Sequence, residues 1–531
     1  MHYRSLSFQR GFPDPLLIRR GAELGFNDVC FQTEGGLITM LEDLRDRADR
    51  SGYFKLLDEL GMTCTVWAHE FADYDYEAWG ECRPDNQRLW QGVEQRYDYI
   101  LGKLLPEIDN LVLTVVETDI TATRPDILVP LTSAILRACK RHNTRLILRS
   151  FVHHPHEYEE VKEAIAAIPD DITIMTKSIP QDWHMRSIDD PLIGAVGDKP
   201  QYIEVDIAGE YFRMNHVANC FTETLAAQFD RWRAAGCEGV SVRADRAWEP
   251  WREHQTTVLD QAQEANLWTL GYLAAGRSDS LDEIWREFTR YQFGESAAAA
   301  MEEALRPTGE VVAEALYVES EPFGEQKYDY VHPFALLKRD PTAVAYPDDE
   351  DRICRNPFHQ AWSVFRWDES YRPRYQQIRC GHPDVIKRKE TSYAEAEQSA
   401  VASLARIDKA KDDLSEEAFR YFNFRLEENL WNLRFMGEMQ LAWLKLSSVL
   451  YEQAGTDADR MRREALEHLK KAEDLAEQAK TESITAVWRG RVYHCRRGQY
   501  IDTDDMLNRF NEYWRDVLLS GENRVYEQVH E

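Results

Sequence analysis

The sequence predicts an α/β protein, a (β/α)8 TIM barrel followed by a mainly helical C-terminal domain. Three observations predict it. Short β-branched runs alternate with amphipathic stretches through the first half of the chain, as in βα units with a parallel sheet. Eight such runs fall within about 280 residues, the count for a closed barrel with a helix after each strand. From residue 391 onward helical periodicity dominates, with good helix formers throughout.

Taken in order, the strands are expected at 2–8, 28–32, 63–69, 111–117, 145–152, 172–177, 202–208 and 239–243. Each is a short run rich in Val, Ile, Thr or aromatic residues. Helical patterns separate them, at 86–103, 128–142, 157–167 and 221–235, with a last one at 257–275 after the eighth strand. The barrel is placed at 1–295. Prolines and aromatics recur with little periodicity from Pro307 to Pro383, so 296–390 is expected to be an irregular connection. The helical domain is placed at 391–531, with one very long helix at 415–453 and another at 457–480. The aromatics Phe422, Phe424, Trp431 and Phe435 on the long helix suggest a homodimer through this domain.

Composition removes several classes of function. The 531 residues hold 64 Lys+Arg against 93 Asp+Glu, a net charge of −29. Such an acid excess repels nucleic acid and anionic lipid, so neither is expected as a partner. A hydrophobic fraction of 43% supplies a core, and no run of about 18 apolar residues exists to span a membrane. The first residues lack the apolar centre of a secretory signal. Nine cysteines are scattered without a C-x-x-C pair, as expected of reduced thiols in the cytoplasm.

Barrel enzymes carry their chemistry at the carboxyl ends of the strands. There the fourth run, LVLTVVE, ends in Glu117; the fifth, RLILRSFV, carries Arg149; the sixth, ITIMTK, ends in Lys177 and runs on to Asp182. In YIEVDIAGEY, Ile203, Val205 and Ile207 share one face, and Glu204, Asp206 and Glu210 the other, which then points into the lumen. Acids there are costly to bury unless they are paired or used. Glu204 and Asp206 are the deeper two and suit pairing with bases of neighbouring strands. Glu210 stands at the rim.

Glycosidic hydrolysis needs this equipment: one carboxyl to protonate the leaving oxygen, another to activate water or attack the sugar. Glu117, Asp182 and Glu210 are the candidates, with Asp119 competing for the acid role. Arg149 and Lys177 either pair with a substrate carboxylate or only neutralise the barrel acids. Trp183 and Trp248 stand beside strand ends, where rings stack on sugars. His69 and Glu70 end the third strand, and His153, His154 and His156 form a loop cluster that suits a metal or simple rim structure.

These residues resemble the α-glucuronidases of glycoside hydrolase family 67. The stretch KSIPQDWHMRSIDDPLIG is similar to that family's K-N-G-P-I-D-F-x-x-R-E-P-x-x-P-L-F-G, with Lys177, Pro180, Asp182, Arg186, Pro191, Leu192 and Gly194 at matching offsets. YIEVDIAGEY resembles E-x-Q-I-T-Q-E-Y, VVETD the N-S-E segment, and LRSFVHH the W-R-x-F-V-Y segment. The helix after the last strand, ANLWTLGYLAAGRSDSLDEIWREF, is similar as well.

The likeness spans roughly residues 110–294. It implies a barrel followed by a helical domain, and inverting hydrolysis with Glu117 as acid and Asp182 with Glu210 activating water. It also implies that Arg149 and Lys177 hold a uronate carboxylate; Arg186, at a matching motif position, and Asp206, on the inward face, are counted with them as substrate-site candidates. An exo-acting enzyme that frees a uronic acid from short acidic oligosaccharides follows, needing no cofactor and no metal.

The chain also departs from the family. A β-rich domain ordinarily precedes the barrel there, whereas here the first strand begins within ten residues of Met1. Leu113 and Thr114 stand where the family has a Lys, Gly209 replaces a Gln, and SVRADRAWEPW, with Trp248 and Trp251, replaces an Asn-Ile-Gly segment. Two rival functions use the same barrel. One is a metal-dependent sugar isomerase or epimerase with Glu117, His153, Glu204 and Asp245 as ligands. The other is a non-catalytic barrel that binds acidic sugars or serves as a scaffold.

Overall fold

Side-chain alternation along eight strands builds one closed parallel barrel, β1 to β8 paired in chain order and β8 returning to β1. The strands are β1 (Tyr3–Phe8), β2 (Asp28–Gln32), β3 (Thr63–His69), β4 (Asn110–Thr114), β5 (Arg145–Arg149), β6 (Thr173–Lys177), β7 (Gln201–Asp206) and β8 (Gly239–Arg243). The computed structural model describes residues 1–8, 15–32, 37–72, 74–116, 118, 120–152, 154–169, 171–180, 183, 185–207, 217–244, 258–323, 363–451, 453–498 and 503–510. The chain divides into two units. The first comprises Met1–Trp183, Ile188–Ala208 and Thr222–Ile284; the second comprises His184–Ser187, Gly209–Phe221 and Trp285–Glu531.

In the first unit the outward residues of the strands, among them Leu6, Val29, Val66, Leu111, Leu148, Ile174, Val205 and Val242, are buried. The helices of this unit are α1 (Pro15–Leu24), α2 (Leu37–Ser51), α3 (Tyr53–Leu60), α4 (Tyr76–Trp79), α5 (Gln87–Tyr99), α6 (Pro125–His142), α7 (Pro155–Ala167), α8 (Thr222–Ala234) and α9 (Glu264–Ala275). Local chemistry sets their ends. Asn86 caps α5 by accepting from the Leu89 N–H, and Asn143 ends α6 in the left-handed conformation at φ 57°.

The lumen is layered. At the amino end Asp28 accepts hydrogen bonds from Ser5 Oγ (2.6 Å), Thr63 Oγ1 (2.6 Å), Thr65 Oγ1 (2.8 Å) and Asn110 Nδ2 (3.2 Å). No cation is among these partners, and burial pushes its carboxyl up to about 6 although the hydroxyl donors oppose the shift. The middle layer is apolar, formed by Tyr3, Cys30, Trp67, Val112, Ile147, Met175 and Tyr202. Tyr3 and Tyr202 stack at 4.5 Å, and Gly239 on β8 makes the room: a Cβ there would lie 2.6 Å from Tyr202 Cδ1 and 2.8 Å from Tyr3 Cβ. The carboxyl-end layer is charged.

The second unit is helical, with α10 (Leu281–Phe293) starting in the first unit and continuing into it. After it come α11 (Glu295–Leu305), α12 (Thr308–Leu316), α13 (Arg372–Arg379), α14 (Pro383–Lys409), α15 (Glu416–Leu450), α16 (Ala458–Ala479) and α17 (Thr503–Phe510). The long helix expected at 415–453 is α15, and Ser415 starts it by accepting from the Ala418 N–H. Its Phe422, Phe424, Trp431 and Phe435 are buried within the chain itself, so a second copy would need another surface.

Several boundaries differ from the expectation. Strands β4, β5 and β7 stop at Thr114, Arg149 and Asp206, earlier than the β-branched pattern suggests. The stretch expected to be irregular contains α12, α13 and the small pair β9 (Tyr317–Val318) and β10 (Glu321–Pro322). The helical region holds a hairpin, β11 (Ser483–Trp488) with β12 (Arg491–Arg496).

Candidate active site

At the carboxyl end of the barrel the inward positions of β5 to β8 carry Arg149, Lys177, Glu204, Asp206 and Arg243, all less than a tenth exposed. Alternation puts them there. Register aligns Lys177 with Glu204 and Asp206 with Arg243, so neighbouring strands deliver opposite charges to the same height. Glu204 is the hub. Arg149 reaches across the lumen to it in a fork, Nε to Oε2 at 2.7 Å and Nη2 to Oε1 at 3.1 Å. Arg243 approaches from β8, Nη1 to Oε1 at 3.6 Å. Burial alone would raise the Glu204 carboxyl, but Arg149, Arg243 and Lys177 outweigh it and hold the group below its ordinary value.

Aromatic faces complete this floor. The Arg149 guanidinium lies 4.6 Å from the Trp67 ring centre and 4.4 Å from that of Phe151, and Lys177 Nζ lies 4.1 Å from Phe151. Arg149 Nη1 also donates to Thr114 Oγ1 at 3.4 Å. Behind Lys177, the buried Asp190 accepts from the Leu192 N–H at 2.8 Å; burial pushes its carboxyl up to about 7, with Lys177 pulling the other way. Glu70 is tied to Arg96 and accepts from Tyr97 Oη at 2.6 Å, which gives it a structural role at the end of β3.

The structure therefore brings together Arg149, Lys177 and Asp206 of the residues singled out in the sequence. Trp183 is buried in the first unit. Arg186 belongs to the second unit, and its polar partners Glu310, Glu314 and the Glu319 carbonyl all lie there. Glu117, Asp182, Glu210 and Trp248 lie outside the described residues, as do Asp119, His153, Asp245 and Trp251. Sequence reasoning missed Arg243, although GVSVR alternates Gly239, Ser241 and Arg243 on one face just as β7 alternates its acids.

Chemically, the guanidinium fork of Arg149, the ammonium of Lys177 and the guanidinium of Arg243 surround Glu204, with Asp206 level with Arg243, so this buried layer holds three basic groups against two acids. A divalent cation is disfavoured at Glu204 by the same three charges. Among the described residues no group of three His, Cys, Asp or Glu side chains is arranged to hold a metal ion.

No protein-family model matches the sequence, and no curated protein matches it. Among solved structures, the chain is similar to a glycoside hydrolase family 138 enzyme targeting pectin rhamnogalacturonan II, with a TM-score of 0.61 and 10% identity over 98% of this chain and 67% of that one. A mutant O-GlcNAc hydrolase from Thermobaculum terrenum superposes with a TM-score of 0.46 and 11% identity, over 90% of this chain and 96% of that one. The first of these likenesses, nearly free of sequence identity, is one of fold. It extends over almost the whole chain.

Proposed function

We propose that this protein is a glycoside hydrolase, an exo-acting and inverting enzyme that releases a uronic acid from short oligosaccharides in the cytoplasm, in the manner of an α-glucuronidase. The observation that carries this reading is the cationic floor of Arg149, Lys177 and Arg243 around Glu204. A sugar carboxylate entering the mouth would meet that floor, and the ring would lie above it among the strand ends where barrel chemistry is done. The motif around Lys177–Gly194 and the fold shared with a rhamnogalacturonan-targeting hydrolase support the same class. The seven described cysteines that are free thiols suit a reducing compartment.

In the proposed reaction Glu117 protonates the glycosidic oxygen as the bond to the anomeric carbon breaks. Water attacks the opposite face of that carbon, giving its proton to Asp182 or Glu210, with the acid and base carboxyls about 6.5–9.5 Å apart. Arg149 and Lys177 hold the uronate, and Trp183 and Trp248 line the sugar site. The isomerase alternative would use Glu204 as a metal ligand, which its three cationic neighbours oppose.

The test is a screen of acidic and neutral oligosaccharides, read by mass spectrometry for released monosaccharide, with Glu117→Gln, Glu210→Gln and Lys177→Met run in parallel. Wild type should free a uronic acid, the two carboxylate variants should lose at least about 100-fold in kcat, and Lys177→Met should act mainly on KM. Release of a neutral sugar alone would overturn the role of the cationic floor. Release of nothing would move the weight to the binding or scaffold function.

A further inference from the structure

One aromatic ring just past the end of β5 touches two of the lumen cations. The Phe151 ring centre lies 4.4 Å from the Arg149 guanidinium and 4.1 Å from Lys177 Nζ. Its place follows from the strand pairing. The ladder between β5 and β6 aligns Arg149 with Met175, and the Ser150 N–H extends it by donating to the Met175 carbonyl at 2.9 Å. Ser150 Oγ also donates to Thr176 Oγ1 at 3.2 Å. Phe151 follows Arg149 by two residues just as Lys177 follows Met175, so the register brings ring and ammonium side by side. The ring is buried, and it belongs with both cations to the first unit.

An ion pair and a ring hold a cation in different ways. Glu204 grips Arg149 by a fork at 2.7 and 3.1 Å, and in doing so offsets its charge. A phenyl face attracts a cation through its quadrupole, uses no N–H group and leaves the charge in place for an incoming anion. Arg149 and Lys177 repel each other, and the attraction of both to one ring works against that repulsion. Trp67 adds a second ring to Arg149, at 4.6 Å.

We propose that Phe151 is a positioning residue for anion recognition, its ring fixing Arg149 and Lys177 relative to each other so that they meet a sugar carboxylate together. This deepens the hydrolase reading and rests on its assignment of those two cations to the uronate. Phe151 acts through the cations, so its effect depends on their charge. A side chain that only filled space would act the same with or without them.

The experiment is a double-mutant cycle on the full-length protein. Titration calorimetry measures the dissociation constants of free D-glucuronate and D-galacturonate, with glucose and galactose as neutral controls. The variants are Phe151→Leu, Lys177→Met, their combination, and Phe151→Tyr, each checked for folding by its urea midpoint. Phe151→Met replaces Phe151→Leu if the latter does not fold. Phe151→Leu keeps an apolar side chain and removes the aromatic face. It should weaken uronate binding about tenfold in the wild-type background and less than about twofold on Lys177→Met, while Phe151→Tyr stays within about twofold of the wild type.

Equal losses in the two backgrounds overturn the proposal. So does wild-type affinity in Phe151→Leu, or a Phe151→Tyr variant as weak as Phe151→Leu. A wild type that binds uronates no better than the neutral sugars overturns the proposal together with the role of the cationic floor. Turnover of 4-nitrophenyl uronides is measured separately: a wild type that binds uronate and cleaves none overturns the hydrolase reading, while the cycle still decides the part played by Phe151.

Discussion

Two buried carboxylates inside one barrel meet opposite electrostatic fates. Glu204 is met by Arg149, Arg243 and Lys177, which depress its pKa; Asp28 at the amino end has only hydroxyl and amide donors, and its pKa rises to about 6. The consequences for stability carry opposite signs. A depressed acid contributes stability above its ordinary pKa and loses it as pH falls through the depressed value, so Glu204→Gln at pH 7 should cost about 3–5 kcal/mol by stranding buried cations. A raised acid favours folding below its ordinary pKa and loses that contribution as pH climbs from about 4 through 6. Asp28→Asn should therefore stabilise the protein at pH 8 by about 1–3 kcal/mol and flatten the dependence between pH 4 and 6. Urea melts of both variants at pH 5 and pH 8 check the pair; equal behaviour of the two would contradict the difference in environment.

Among the elements, β8 shows how a single hydrogen in place of a methyl sets a layer. Gly239→Ala would drive Cβ into the Tyr3–Tyr202 stack, and the strand would have to shift; a loss of about 1–3 kcal/mol is expected in urea melts. The strands were the most legible elements because inward and outward residues differ so sharply in β7 and β8. β4 reads three residues too long because Val115 and Val116 extend its β-branched run after the ladder has stopped at Thr114. The hairpin β11–β12 escaped notice because its turn uses Arg489 at φ 48° before Gly490 at φ 77°, where Asn or Asp is the usual signal. Helix α12 hid among prolines and aromatics, since eight of its nine residues are buried and only Glu310 is exposed, too little for a polar face. At the site, same-face alternation exposed Glu204 and Asp206, and the strand-end rule drew attention to Arg149 and Lys177. The allegiance of Arg186 to α12 was invisible, because a pairing across 128 residues leaves no local pattern.

At the level of the whole molecule, five described acids are raised by burial: Asp28 to about 6, and Asp190, Glu264, Glu321 and Glu428 to about 7. All five favour the fold most when protonated, and each loses that contribution as pH rises through its own value. The net charge of −29 works in the same direction, since deprotonation adds to self-repulsion. Global stability should therefore peak on the mildly acidic side of neutrality and decline from about pH 5.5 to 8. A pH series of urea midpoints in constant salt reads this directly; a midpoint that climbs through that range would show the buried acids to be ionised and well paired.

The interleaving of the two units also bears on the order in which the chain acquires structure during synthesis. All eight barrel strands have emerged by Arg243, yet two of the loops between them belong to the other unit. The Cys220 N–H finds its acceptor on Thr308, and the Ala218 carbonyl accepts from Asn429, 211 residues later. Both bonds lie within the second unit, so the stretch about Ala218 and Cys220 gains these partners only once α12 and α15 have been translated. A chain interrupted before Asn429 would therefore carry a complete set of strands while the Ala218 carbonyl still lacked this donor.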